Sequence, residues 1–183
     1  AYAPPAPAAP APAPAIPALP VPVRKGRSAS IWLFGVLGFV LLLLAAYFGY
    51  ALGAAASVVG MVLALVPLTI VLLGVRLIDR WEPEPKSLVV FAIAWGGIAA
   101  IGLTLLVDLA LTLAVGMRSE FFSAVIQAPV VEEVTKGLGV FLIFVMARRA
   151  CDGPVDGVVY GALVGAGFAF TENIQYFAIS LIE

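Results

Sequence analysis

The sequence contains no histidine and only one cysteine, Cys151, among its 183 residues. Without histidine, the chain alone can supply neither a Ser-His-Asp triad nor the H-E-x-x-H zinc signature. A single thiol forms no internal disulfide and no cysteine-based metal cluster. Charged residues make up 11% of the chain and the formal net charge is -1, so the composition indicates no nucleic-acid partner. Carboxylates, amides and lysine remain as the available chemistry.

Apolar residues, in contrast, are abundant: they make up 63% of the chain, and the mean hydropathy is +1.12. Apolar runs of about 18 residues or more recur, and each is long enough to cross about 30 Å of hydrocarbon. The pattern predicts an all-α, polytopic transmembrane helix bundle in the lipid bilayer. We expect about five spans, at residues 31–52, 55–77, 88–115, 121–147 and 154–182.

The first 30 residues differ from the rest in composition. Nine of the 14 prolines lie between Pro4 and Pro22, and a short basic stretch follows them. Because proline lacks an amide donor and fixes φ, we predict a disordered Ala/Pro-rich tail at 1–30. The transmembrane helical domain is then 31–183. It stops directly after an apolar run, and we therefore expect it to be truncated at its carboxyl end.

Basic residues in the loops predict the orientation of the helices. Eight lie on one side of the predicted membrane and only Arg118 lies on the other. The eight are Arg24, Lys25, Arg27, Arg76, Arg80, Lys86, Arg148 and Arg149. Since lysine and arginine in short loops mark the cytoplasmic side, the amino terminus is predicted to be cytoplasmic.

The most informative residues are the ionisable ones inside the spans, since each charge at the bilayer centre costs about 2.5 to 3.5 kcal/mol. In the fourth span, Lys136 lies one turn after Glu132 and Glu133 and can neutralise one of them. The other carboxyl must be protonated, hydrated or shared with another helix. Pro129 precedes them and predicts a kink.

The fifth span supplies a counterpart, Glu172 with Asn173. A stripe of small residues, Gly157, Gly161 and Gly165, precedes them and predicts a close approach to another helix. We expect Glu172 and Asn173 to face the fourth span. Counting residues from the predicted helix ends leaves Glu132 and Glu172 about 10 Å apart in depth.

These residues alone leave several functions open. A carboxylate can pass a proton from water to a leaving amine while an amide or a metal stabilises the oxyanion, which is the chemistry of peptide hydrolysis. The same acids would suit a proton- or cation-coupled transporter, or an ion pair that only joins two helices. A structural scaffold is a further alternative. Asp108, near the end of the third span, is expected to face headgroups or Arg118 without a catalytic role.

Four short motifs carry a resemblance to a known family. They are E-E-x-x-K at residues 132–136, F-A-x-x-E-N at 168–173, DRWEPEP at 79–85 and DGVVYG at 156–161. All four resemble the PrsW family of intramembrane proteases, which is itself similar to the CAAX-protease and bacteriocin-processing superfamily. The resemblance covers about residues 79–176.

The resemblance implies a bacterial plasma-membrane protease that cleaves a membrane-anchored regulatory protein, such as an anti-sigma factor. It implies catalytic roles for Glu132, Glu133, Glu172 and Asn173, with Glu132 the better candidate for activating water. Lys136 and Phe168 would support them. It leaves the cofactor undecided, with a divalent metal such as zinc at Glu133 or Glu172 as one option. Family members carry histidines on later helices, so we expect these 183 residues alone to be inactive.

Overall fold

The computed structural model describes residues 27–148, 151 and 153–183, and most of these are helical. There are five long helices in this part of the chain. They are α1 Arg27–Ala51, α2 Ala54–Ile78, α3 Lys86–Val115, α4 over residues 120–146, and α5 Pro154–Ile182. The predicted all-α bundle is confirmed. Most of the tail predicted at 1–30 lies outside the described residues.

The helices end where the sequence requires a turn. Gly53, between α1 and α2, has φ of 82°, and Gly116, after α3, has φ of 83°. Both values lie in the left-handed region, which glycine adopts without the steric penalty that a Cβ brings. Pro83 and Pro85 interrupt the helix between α2 and α3, because proline cannot donate to a helical hydrogen bond.

Four helices, α1, α2, α3 and α5, are long and apolar enough to cross a membrane. The chain is therefore a multi-pass membrane protein. The fourth predicted span, 121–147, corresponds to α4, which is not among these four helices and whose 19-residue segment Ala128–Met146 carries Glu132, Glu133 and Lys136. The predicted spans agree with the helices to within a few residues. The cytoplasmic amino terminus stays a prediction.

Helix α5 forms the centre of the bundle and packs against α2, α3 and α4. Its buried face includes Val159, Tyr160, Leu163, Val164 and Phe168, each no more than 2% exposed. Residues on α1, α2 and α3 present many large apolar side chains on their outer surfaces, which suits contact with lipid.

Glycines bring α3 and α5 into backbone contact. A Cβ on Gly96 would overlap the carbonyl of Val164, and a Cβ on Gly167 would overlap the carbonyl of Ile93. Small residues of this kind let membrane helices approach closely, where dispersion and polar contacts hold them together.

The predicted glycine stripe on α5 does not form the close helix contact that was expected of it. A Cβ added to Gly157, Gly161 or Gly165 would meet no atom of another described residue within 4 Å. The expectation that this stripe forms the close helix contact was wrong. Spacing by four residues identifies a helix face, but it does not tell which neighbour covers that face.

Two wide turns of π-helix interrupt the regular α-helices. One lies within α3 at Trp95–Ala100, and the other lies in α4 at Ser123–Gln127 and ends two residues before Pro129. Pro129 has no amide hydrogen for the preceding turn, so a change in helical winding here agrees with the predicted irregularity.

The backbone contact at Gly167 should control stability. Gly167→Ala is expected to lower the free energy of unfolding by about 1 to 3 kcal/mol, because the added methyl group must push α3 away. The measurement is reversible denaturation of the protein in detergent micelles.

Gly161→Ala is the matched control, because it adds the same methyl group to the same helix in open space. It should leave stability within about 0.5 kcal/mol or raise it, since alanine favours helix. Equal destabilisation by both substitutions would contradict the packing described here.

Candidate active site

The acid and lysine residues of α4 form one cluster. The Nζ atom of Lys136 lies 2.8 Å from Oε1 of Glu133 and 3.6 Å from Oε2 of Glu132. The Glu132 side chain is 23% exposed, whereas that of Glu133 is 74% exposed. The two neighbouring glutamates therefore occupy different surroundings although they share a cation.

Lys136 also reaches α5. Its Nζ atom lies 4.1 Å from the centre of the Phe168 ring, and Phe168 is only 2% exposed. An ammonium group over an aromatic face is attracted by the negative charge density of the ring, and the attraction grows when water is excluded. This contact joins the E-E-x-x-K motif to the F-A-x-x-E-N motif.

The contact also fixes the level of Glu172. Helices α4 and α5 are antiparallel, since Phe144 lines a cleft with Gly153 while Lys136 lies on Phe168. Glu132 is one turn before Lys136, and Glu172 is one turn after Phe168, so both displacements point the same way.

Glu172, one turn after Phe168, accordingly lies at about the level of Glu132. The expected depth difference of about 10 Å was too large. That count assumed that both helices begin at the membrane surface. Helix α5 has 29 residues and is about 43 Å long, so it extends beyond about 30 Å of hydrocarbon.

The structure thus brings the turns that carry Glu132, Lys136, Phe168 and Glu172 together, whereas Asn173 is half-buried and follows Glu172 in the sequence. Among the ion pairs of the described residues, Glu133 contacts this cluster only through Lys136. The catalytic roles assigned to these residues stay predictions.

The charges of the cluster do not balance. Three carboxyls surround one ammonium group, and Lys136 can offset only one negative charge. Within an apolar bundle, a surplus charge of this kind is costly unless a further group or water offsets it.

Two hydrogen bonds between residues that the sequence did not single out hold the site helices to α3. The Nε1 atom of Trp95 donates to the carbonyl of Thr135 at 3.0 Å, and the Thr171 hydroxyl donates to the carbonyl of Gly97 at 2.8 Å. A tryptophan within an apolar span could have given a signal, because its buried N–H needs an acceptor. Its partner could not be read from the sequence.

A second polar contact joins the other two motifs. The Tyr160 hydroxyl donates to Oε2 of Glu84 at 2.5 Å, and the Glu84 amide donates to Oδ2 of Asp79 at 2.9 Å. The DRWEPEP loop is thereby attached to α5. Asp108, in contrast, accepts from Arg118 at 3.2 Å and from Gln127 at 2.8 Å, as its structural interpretation predicted.

Comparison with known proteins places these residues in a family. A family model described as PrsW family intramembrane metalloprotease matches residues 84–183, which is more than half of the chain. The chain belongs to the PrsW family. That membership supports a protease over the transporter and the scaffold. The matched region contains both motifs that meet at Lys136.

A curated relative agrees with this assignment. The chain is 32% identical over 105 residues to Protease PrsW of Geobacillus kaustophilus (strain HTA426). The match covers 57% of this chain and 46% of the relative, so the chain spans about half the length of the PrsW protease that it matches. No solved structure matches the chain.

The PrsW family description names a metalloprotease, so the donor set matters. Among residues 27–148, 151 and 153–183, no group of three or more histidine, cysteine, aspartate or glutamate residues is arranged to hold a metal ion. A catalytic zinc normally takes three protein ligands. Glu132 and Glu172 offer carboxylates from two helices, but the described residues by themselves do not fit a metal site.

Because Glu132 and Glu172 lie at the same level, we predict that cysteines at these two positions can be crosslinked. In a Cys151→Ser background, Glu132→Cys with Glu172→Cys should be joined by a short bifunctional thiol reagent, because both positions face one interface. The measurement is gel mobility after a protease has cut the chain between α4 and α5, because a crosslink keeps the two fragments joined.

The control pair is Glu133→Cys with Glu172→Cys, in which the first side chain is mostly exposed. It should crosslink clearly more slowly. Equal rates for the two pairs would show that the register of α4 and α5 differs from the one described.

Proposed function

We propose that this chain provides the glutamate site of an intramembrane endopeptidase that cleaves a membrane-anchored regulatory protein, such as an anti-sigma factor, in the bacterial plasma membrane. One observation carries the proposal: Lys136 on α4 lies against Phe168 on α5, which puts the turns that carry Glu132 and Glu172 at one level within an apolar bundle. PrsW membership supports the protease class, while the substrate class rests on the resemblance alone.

Glu132 is proposed as the general base. It would take a proton from a water molecule, whose oxygen attacks the carbonyl carbon of the scissile peptide bond. The Asn173 amide, next in sequence to Glu172, would donate to the oxyanion of the tetrahedral intermediate when the substrate binds. Protonated Glu132 would then return the proton to the leaving amine as the carbon–nitrogen bond breaks, which restores the carboxylate.

Glu133 is proposed to balance charge. It lies closer to Lys136 than Glu132 does, at 2.8 Å compared with 3.6 Å. Glu133 thus makes the shorter of the two ion pairs of Lys136. Glu132 has the longer ion pair, so it would remain available to a water molecule.

A divalent metal such as zinc is part of the proposal only with ligands from outside the described residues. The chain has no histidine, and Glu172 or Glu133 alone would not hold the ion. We therefore assign no step to a metal. On the same grounds we expect the 183 residues alone to be inactive.

Glu132→Gln should abolish cleavage. Glutamine keeps the shape of the side chain but cannot take a proton from water, so we expect a loss of about a hundredfold or more. The measurement is release of epitope-tagged, membrane-anchored anti-sigma factors of the host by the complete gene product in membranes. Product fragments are identified by their new amino termini.

Glu120→Gln is the matched control, since Glu120 is exposed at the start of α4 and forms no ion pair with Lys136 among the described residues. It should cleave at the original rate. Glu133→Gln should lose less activity than Glu132→Gln. Unchanged cleavage in both Glu132→Gln and Glu172→Gln would refute the proposed site.

A further inference from the structure

The wide turn of α3, Trp95–Ala100, contacts both helices that carry the proposed site. In such a turn the hydrogen bonds join residues five apart, which is rare in α-helices and frequent at functional sites. The turn lies opposite Thr135 on α4 and opposite Gly167 and Thr171 on α5. It is therefore placed to set the position of one helix relative to the other.

On the α4 side, the contact is a buried hydrogen bond. The Trp95 indole donates to the Thr135 carbonyl, which lies between Glu132 and Lys136 along the chain. This bond is possible because residue 139 is glycine. A Cβ on Gly139 would overlap the indole ring, so any larger residue there would displace Trp95 from the Thr135 carbonyl.

Thr135 links this bond to the backbone of the glutamate. Its hydroxyl donates to the Glu132 carbonyl at 2.9 Å and lies 3.3 Å from the hydroxyl of Thr104 on α3. The α4 turn that presents Glu132 and Lys136 is thus attached to α3 at two neighbouring points. All of these groups lie within apolar surroundings, where an unmade hydrogen bond is costly.

On the α5 side, the contact is equally direct. Thr171 immediately precedes Glu172, is 7% exposed, and donates its hydroxyl to the Gly97 carbonyl. Gly167, one turn earlier, packs on the backbone of α3 at the same turn: a Cβ on Gly97 would lie 2.9 Å from the Gly167 carbonyl oxygen. The rotation of α5 about its axis is therefore fixed beside Glu172.

We propose that Trp95 and Thr171 are positioning residues, which act through the wide turn to hold Glu132 and Glu172 at one level and at one separation. Neither side chain is assigned a contact with substrate. The catalytic consequence rests on the proposed function, whereas the geometric consequence does not. A displacement of about 1 Å in a catalytic group can cost about a hundredfold in rate. A small shift of either glutamate should therefore lower activity.

The first experiment measures geometry without activity. The complete protein carries Cys151→Ser, Glu132→Cys and Glu172→Cys, and its crosslinking rate is compared with and without Trp95→Phe or Thr171→Val. Each substitution removes one hydrogen bond and keeps most of the side-chain volume. We expect the crosslinking rate to change by about threefold or more for each.

Trp81→Phe and Thr69→Val are the matched controls, because Trp81 is 89% exposed and the Thr69 hydroxyl bonds within its own helix. They should leave the rate unchanged. Gly139→Ala provides a second route to the Trp95 contact if Trp95→Phe does not fold. Unchanged crosslinking in folded Trp95→Phe and Thr171→Val proteins would overturn the inference.

The second experiment measures cleavage of the tagged anti-sigma factors with both glutamates intact. Thr171→Val should lower kcat by about tenfold with KM changed less than about twofold, since the loss lies in alignment and not in binding. Thr171→Ser should restore most of the rate because it returns the hydroxyl. No rescue by serine would overturn the inference. A protein that cleaves nothing would refute the proposed function, while crosslinking still decides the positioning role.

Discussion

Polar groups in an apolar bundle must find their partners within the protein, and the arrangement of this chain follows from that constraint. Lys136 shows the effect most clearly, since it has two carboxylates on its own helix and an aromatic ring on the next one. Trp95 and Thr171 satisfy the same requirement by donating hydrogen bonds to backbone carbonyls. The contacts that satisfy these groups are also the contacts that bring the helices of the site together.

Close packing and chemistry are therefore linked in α3. Gly96 and Gly97 allow the backbone of α5 to approach, and this approach is what puts the Thr171 hydroxyl within reach of a carbonyl. Gly139 does the same for the Trp95 indole on α4. Glycine is used here for access to the backbone, which is a different use from the turns at Gly53 and Gly116.

The paired glutamates illustrate how neighbours in sequence acquire different roles. Successive residues on a helix point about 100° apart, so only one of two adjacent side chains can face a given neighbour. The Glu132 side chain is 23% exposed and lies at the level of Glu172 on α5, whereas the Glu133 side chain is 74% exposed. The resemblance to PrsW proteases implied both residues together, and the separation between them became visible only when α5 was in place.

The sequence by itself determined the helices, their apolar surfaces and the identity of the acidic residues, because span length, proline and glycine act locally. It also determined the PrsW motifs, whose residues are readable in order. Only the tertiary structure decided that Glu132 and Glu172 share a level, that Gly167 and not Gly157 makes the close contact, and that Trp95 joins α3 to α4. Those facts depend on the rotation and depth of whole helices, which are set by packing against several neighbours at once and by no local pattern.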